Sequence, residues 1–225
     1  MARSACRSRT GTRCEPTGSG DLRVPYPRKV QDSTAAAALI VIDMQRAFVE
    51  GPGAIPSIGT VLQAAQRQIQ AAHDAGALVV FLQNDGRPEE PDQPGSTGWE
   101  LAFEPQPGDA VVRKRHDNGF AGTDLDALLR NHDVKKVSIC GVMSEMCVAA
   151  TARSAIERGY EVVLAHDAHG TYRVPALTNG EPEVPAELAA RAAEWSLGDE
   201  VLIPLTSESV RFQPAIPEEP RDDAT

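Results

Sequence analysis

Cys147 is the residue of this chain best placed for covalent chemistry. It lies in the stretch Val137 to Ile156, VSICGVMSEMCVAATARSAI. An apolar run (Val137, Ile139, Cys140, Val142) has the length of a strand, and Val148, Ala152, Ala155 and Ile156 recur at helical spacing. The pattern predicts a strand, a tight turn and a helix, with Cys147 in the first helical turn. There, amide N–H groups without an intrahelical partner and the helix dipole favour negative charge and therefore a thiolate. A free thiol ionises near pH 8.5, roughly, so a nucleophilic cysteine also needs a base or a cation beside it. Asp43, which ends the apolar run AAALIVID, can take the thiol proton and later deliver it to a departing nitrogen. Lys114, which ends AVVRK, can hold the thiolate and is expected to lower its pKa. Ser144 is a candidate N-cap, and the backbone N–H groups of Met143 and Cys147 are candidates for an oxyanion hole. Together these residues describe acyl transfer from an amide, with water then releasing the acid.

Other chemistries stay open on the residues alone. His116, His166 and His169 allow a Cys/His pair instead, His166 lying near a strand end with Asp167 beside it in a structural role. Cys140 and Cys147 form a redox pair only if their Cα atoms come within about 7 Å. A catalytically silent binding or scaffold protein of the same fold is a further alternative, disfavoured by the intact Asp, Lys and Cys set.

The elements that must position these residues alternate. AAALIVID reads as a central strand buried on both faces, with Asp43 at its carboxyl end. Ile58, Val61, Leu62, Ala65, Ile69 and Ala72 form one face of a helix stopped near Gly76, and Ala77 to Gln83 is a second strand. Residues 84–108 form a long Gly/Pro loop of the kind used for lids; its aromatics, Trp99 and Phe103, either pin it to the body or cover a ligand. A short strand follows at Ala110 to Lys114. Next comes a helix with Thr123 as N-cap and Leu125, Leu128 and Leu129 inward. After the Cys147 stretch, Glu161 to Ala168 is a strand and 171–185 a loop. Ala186 to Trp195 is a helix with Leu188, Ala192 and Trp195 inward, and Glu200 to Leu205 a last strand. This alternation predicts an α/β fold with a parallel sheet between two helical layers, and ligands bound beyond the strands' carboxyl ends.

Composition narrows the partners. The 225 residues carry a net charge of −10, which disfavours phosphate backbones and leaves a cationic or neutral small molecule as the easier ligand. No nucleic acid and no membrane partner is expected: there is no run of about twenty apolar residues and no secretory signal, so a cytoplasmic location is expected. Four cysteines, at 6, 14, 140 and 147, make neither a disulfide framework nor a CxxC metal motif. Residues 1–35 lack apolar periodicity and read as a disordered leader, 36–213 as one domain, and 214–225 as an acidic Pro-rich tail.

Three blocks in order resemble the isochorismatase-like cysteine hydrolase superfamily: VIDMQRAF (41–48), VVRKRHDNGFAGTDLDALL (111–129) and CGVMSEMCVAATARSAIERGYEV (140–162), followed by Asp167 and Ala168. The resemblance implies a three-layer αβα fold with a six-stranded parallel sheet and a catalytic triad at Asp43, Lys114 and Cys147. It also implies a cis peptide between Val142 and Met143 and a homo-oligomer, a dimer or larger. The segment after the second strand, QNDGRPEE, lacks the histidines of metal-dependent nicotinamidase relatives, so no metal and no other cofactor is expected. Relatives acting on isochorismate lack the cysteine, so Cys147 implies C–N cleavage of a small-molecule amide or lactam. Asn118 stands where many relatives have Ser. The runs MSEMCVAATA and HDAHGTY are similar to the streptothricin hydrolase group, which opens the lactam of a strongly cationic antibiotic; an N-carbamoyl compound is the alternative amide. Phe48, Asp85, Trp99, Phe120 and Glu145 are the candidate substrate contacts.

Overall fold

The computed structural model describes residues 35–216; the leader and most of the tail expected from the sequence lie outside the described residues. Strands β1 (Ala38–Ile42), β2 (Leu78–Asn84), β3 (Ala110–Lys114), β4 (Lys136–Val142), β5 (Glu161–Gly170) and β6 (Val201–Leu202) form one parallel sheet in the order β3-β2-β1-β4-β5-β6. The chain winds outward from β1 to β3 on one side, then crosses back to β4 on the other. The strand order therefore reverses between β1 and β4, and the crevice beyond their carboxyl ends is where such sheets bind ligands.

Both faces of the sheet are covered, which explains why β1 and β4 are apolar runs rather than alternating ones. Ala38, Ile40 and Ile42 of β1 pack with Leu125 and Leu129 of helix α3 (Leu125–Asn131) and with Ala149, Ala152 and Ala155 of helix α4 (Ala149–Glu157). Leu39 and Val41 pack on the other side with Val61, Ala65, Ile69 and Ala72 of helix α2 (Ile58–Ala75). Gly76, left-handed at φ +68°, caps α2 by donating to the carbonyls of Ala72 and His73. A four-residue helical turn, α1 (Arg46–Val49), follows β1. At the other end of the described chain the amide of Ala215 donates to the Gly76 carbonyl, so ordered packing continues past residue 213.

Three local expectations change. Asp124, not Thr123, sits at the N-cap of α3; the Thr123 hydroxyl donates to the Gly119 carbonyl at 2.6 Å and accepts from the Leu125 amide at 3.4 Å. The turn after β4 is a π-turn (Ser144–Val148) with Met143 at its N-cap, and Ser144 does not cap it, its hydroxyl being engaged with Nδ1 of His169 at 2.8 Å. Helix α5 (Ala186–Trp195) is rotated from the face expected: Leu188 and Trp195 are 60% and 55% exposed and Ala192 is exposed, while Ala186, Ala193 and Glu194 turn inward. The reason is Glu194. Its carboxylate, 1% exposed, bonds His166 and Arg191 at close range and His169 Nε2 at 3.1 Å, and burying it fixes the helix face.

That cluster makes stability depend on pH. Burial opposes the charge of Glu194, but His169, His166 and Arg191 overcome it and hold the carboxyl at about 2, below its ordinary 4.5. A depressed carboxyl contributes stability that is complete above its unfolded value and lost as pH falls from about 4.5 toward 2. Glu194→Gln is expected to destabilise the fold by on the order of 2 kcal/mol at pH 7 in urea titrations. The gap to the parent should narrow at pH 3; a gap that stays constant with pH would refute the linkage.

Candidate active site

The residues singled out by chemistry converge at the crevice. Asp43 directly follows β1, its amide extending the ladder to the Leu82 carbonyl at 3.0 Å. Its own φ of +50° is a left-handed conformation uncommon for a residue with a side chain. Gln45 then donates to the Asp43 carbonyl at 2.8 Å, closing a tight turn that leaves the Asp43 carboxylate 2% exposed. Lys114 arrives from the end of β3, two strands away, and its long stem reaches the crevice.

The ammonium of Lys114 has three donors and three acceptors around it: Asp43 Oδ2 at 2.8 Å, Cys147 Sγ at 3.3 Å and Asn84 Oδ1 at 3.3 Å. Asn84 is itself fixed. Its Nδ2 donates to the buried Asp92 at 2.7 Å, its amide donates to Gln45 Oε1 at 2.8 Å, and its carbonyl accepts from Gln45 Nε2 at 3.0 Å. Among the described residues, the second oxygen of Asp43, Oδ1, is buried without a hydrogen-bond partner. A carboxylate oxygen left in that state beside a thiol is an acceptor waiting for a proton.

Cys147 sits in the π-turn, 7% exposed. The amides of Met146 and Val148 both donate to the Met143 carbonyl, at 3.1 and 3.2 Å, bonds that pass over Cys147 and keep its amide out of the i to i+4 ladder. The turn begins at a cis peptide between Val142 and Met143. Its approach depends on Gly141, at φ +129°, where a Cβ would lie 2.0 Å from the Ile42 carbonyl oxygen of the neighbouring strand.

The electrostatics correct one sequence expectation. Burial, then the charge of Asp43, push the Cys147 thiol well above its ordinary value, and Lys114 only partly offsets them. Burial also raises Asp43 against the pull of Lys114. For Lys114, burial alone would lower the pKa, but Asp43 and Cys147 together raise it, so the ammonium stays charged. The crevice thus favours one negative charge beside one positive charge, and a standing thiolate next to a carboxylate is disfavoured.

The alternative pairings are resolved by position. Cys140 packs in the core on the α2 side of the sheet and Cys147 on the opposite side, both as free thiols, so they do not form a redox pair. Burial pushes Cys140 up to about 12. His166 and His169 bond Glu194, so the hydrogen-bond partners of the Cys147 sulfur are Lys114 and, at 3.8 Å, Asp117. Asp167 accepts from the amide and hydroxyl of Ser207 and from Arg67, a structural role.

The candidate substrate contacts divide. Glu145 is exposed two residues before Cys147, and Thr171 Oγ1 donates to it at 2.9 Å. Phe48 is half-buried against the α2-side core. Phe120 is 5% exposed, stacked on Tyr160 with the Arg158 guanidinium 4.8 Å over its ring, so it is a core residue rather than a pocket wall. Asp85 is taken up by Arg113 at 2.8 Å and by the Trp99 indole N–H at 3.1 Å. Trp99 lies under Arg113, and its carbonyl accepts from Gln45 and Gln83, so it pins the long loop to the body. A cavity of about 540 Å³ opens between 85–88, 93–94 and Arg115, lined by none of Asp43, Lys114 and Cys147. Sequence reasoning missed Gln45, Asn84 and Asp117; Gln45 and Asp117 lay inside the blocks VIDMQRAF and VVRKRHDNGFAGTDLDALL and Asn84 inside QNDGRPEE, with no spacing that singled out any of the three.

Comparison with known proteins places this geometry in a family. The isochorismatase domain matches residues 37–179. Two streptothricin hydrolases of Streptomyces noursei are 52% and 51% identical over 177 and 189 residues. The alignments cover 78% and 81% of this chain and 64% and 75% of those proteins. The crystal structure of a cysteine hydrolase from Pseudomonas syringae superposes with a TM-score of 0.68 at 28% identity, covering 76% of this chain and 88% of that one. With its six-stranded parallel sheet and these relatives, the chain belongs to the isochorismatase family of hydrolases.

Proposed function

We propose that this protein is a cysteine-dependent amidohydrolase that cleaves a C–N amide or lactam bond of a small molecule through a thioester on Cys147. The observation that carries the reading is the unpartnered, buried Asp43 Oδ1 in an ion pair whose lysine also donates to the Cys147 sulfur. The thiol proton moves to Asp43 as sulfur adds to the carbonyl carbon, so the crevice keeps one negative charge throughout. The charge passes from the carboxylate to the substrate oxygen, where the amides of Met143 and Cys147 are the donors. Collapse restores the carbonyl and breaks the C–N bond, and Asp43 gives its proton to the leaving nitrogen. Water, deprotonated by Asp43, then adds to the thioester; the C–S bond breaks, and sulfur recovers the proton as the acid leaves. The streptothricin hydrolases among the relatives make a streptothricin-type lactam the first substrate to test. A reducing compartment such as the cytoplasm suits a free nucleophilic thiol.

Incubation with streptothricin-type lactams, N-carbamoyl compounds and nicotinamide, followed by intact-mass spectrometry, should show an acyl adduct on the parent protein. Cys147→Ala should lose the adduct and at least about a thousandfold in hydrolysis rate while its circular dichroism and Tm stay close to the parent's. Full turnover by Cys147→Ala would sink the mechanism.

The coupled proton transfer has its own signature. A thiol that must lose its proton to water reacts about tenfold faster for each unit by which pH rises toward its pKa. Transfer to Asp43 inside the crevice removes that dependence. Alkylation of Cys147 by iodoacetamide, followed on the tryptic peptide, is therefore expected to be nearly flat from pH 6 to 8, and Asp43→Asn should restore the slope. Cys140, fully buried, should stay unlabelled. A tenfold rise per unit in the parent would rule out Asp43 as the acceptor.

A further inference from the structure

We infer that Asp117 determines specificity: its carboxylate receives an ammonium or guanidinium group carried by the substrate close to the scissile amide. This rests on the reading of Cys147 as the nucleophile. Oδ1 of Asp117 lies 3.8 Å from the Cys147 sulfur, and unlike Asp43 the residue is exposed. It therefore stands on the solvent side of the nucleophile, where a substrate enters.

Two observations set Asp117 apart from an ordinary surface acid. First, the backbone presenting it is clamped. The hydroxyl of Thr151, a fully buried residue of α4, donates to the Asp117 carbonyl at 3.3 Å and accepts from the Gly119 amide at 3.0 Å. Asn118 donates to Ser154 at 3.1 Å and accepts from the Phe120 amide at 2.9 Å. Gly119 permits the close approach, since a Cβ there would lie 2.3 Å from Leu82 Cδ1 and 3.2 Å from Thr151 Oγ1. Four hydrogen bonds thus hold Asp117 where it is, against the sulfur.

Second, its charge is not balanced by the protein. Among the described residues Asp117 forms no ion pair, and the nearby ammonium of Lys114 is already shared by Asp43, Cys147 and Asn84. Glu145, exposed beside the same turn, adds charge of the same sign. A carboxylate next to the sulfur opposes any negative charge that develops there, so for a neutral or anionic substrate it is a handicap. A cation on the substrate converts the handicap into attraction. Selection by charge then works in both directions, favouring cations and rejecting anions.

Charge-graded thiol reagents test this without knowledge of the natural substrate. Trimethylammonioethyl, methyl and sulfonatoethyl methanethiosulfonates each transfer their thio group to Cys147, forming a mixed disulfide and releasing methanesulfinate, and rates can be read on the Cys147 peptide of the full-length protein. Relative to free cysteine, the cationic reagent should react at least about tenfold faster than the anionic one. Asp117→Asn should lower that cation-to-anion ratio about tenfold, added salt should lower it in the parent, and Asp117→Glu should preserve it. A matched pair of amides, one with an ammonium near the amide and one with a methyl in its place, should show the same loss in the ratio of kcat/KM. Absence of cation preference in the parent, or a preference that survives Asp117→Asn, overturns the inference. Failure of the nucleophile reading is seen separately, as amide hydrolysis by Cys147→Ala.

Discussion

One buried lysine sets the terms for the whole site. Lys114 brings a single positive charge into a crevice that holds a carboxylate and a thiol, and it is enclosed by acceptors on all three of its donors. With one such charge, the crevice accommodates one negative charge and no second one. Everything else about the chemistry follows from that limit. Under the proposed mechanism the thiol stays protonated at rest, Asp43 is the charged partner, and the proton changes hands inside the crevice rather than escaping to water. Asn84 and Gln45 matter because they stop the lysine from wandering: Gln45 grips the Asn84 backbone from both sides, and Asp92 holds its amide group.

The second constraint is geometric, and it is carried by backbone. The crossing from β4 to α4 must deliver a sulfur and an amide to the same small volume. Gly141 lets the strand lie against Ile42, and the π-turn lifts the Cys147 amide out of the helical ladder. Behind the turn, a buried line of hydrogen bonds runs from Ser144 through His169 to Glu194, ending on α5. The line has the residue types of a hydrolytic triad, but Ser144 is only 2% exposed. Its physical effect is to tie the start of the turn to a helix from the far end of the sequence.

Much of this was legible in the sequence because position along a strand is legible. Asp43 and Lys114 end apolar runs, and Cys147 follows one; in a parallel sheet, strand ends are brought to one edge, so three residues spread over about a hundred positions could be placed together. What failed has equally physical causes. The helix 186–195 is rich in alanine, so its apolar pattern left the inward face undetermined, and a buried glutamate with three basic partners decided it instead. Phe120, a candidate substrate contact by sequence, is enclosed instead by Arg158 and Tyr160. The direction of the thiol shift was misjudged because proximity to Lys114 can be guessed from sequence whereas depth of burial cannot, and here burial is the larger effect.

Asp117 shows where the boundary of sequence reading falls. It sits within RKRHD, a run of charged residues that by composition is a solvated loop. Lys114 is marked by its place at a strand end, but nothing in the spacing marks Asp117 as facing the nucleophile. The position is created by tertiary contacts: Thr151 from α4, Leu82 from β2, and a glycine that lets the loop lie between them. A charge that close to the sulfur is neutralised by neither Lys114 nor any other described ion pair, so the crevice carries an electrostatic imbalance at its mouth. An enzyme whose interior is neutral and whose entrance is negative binds and activates best when the missing charge arrives with the substrate. In this fold Lys114 answers the charge of Asp43, and the proposed discrimination falls to Asp117, a carboxylate beside the sulfur that no described ion pair neutralises.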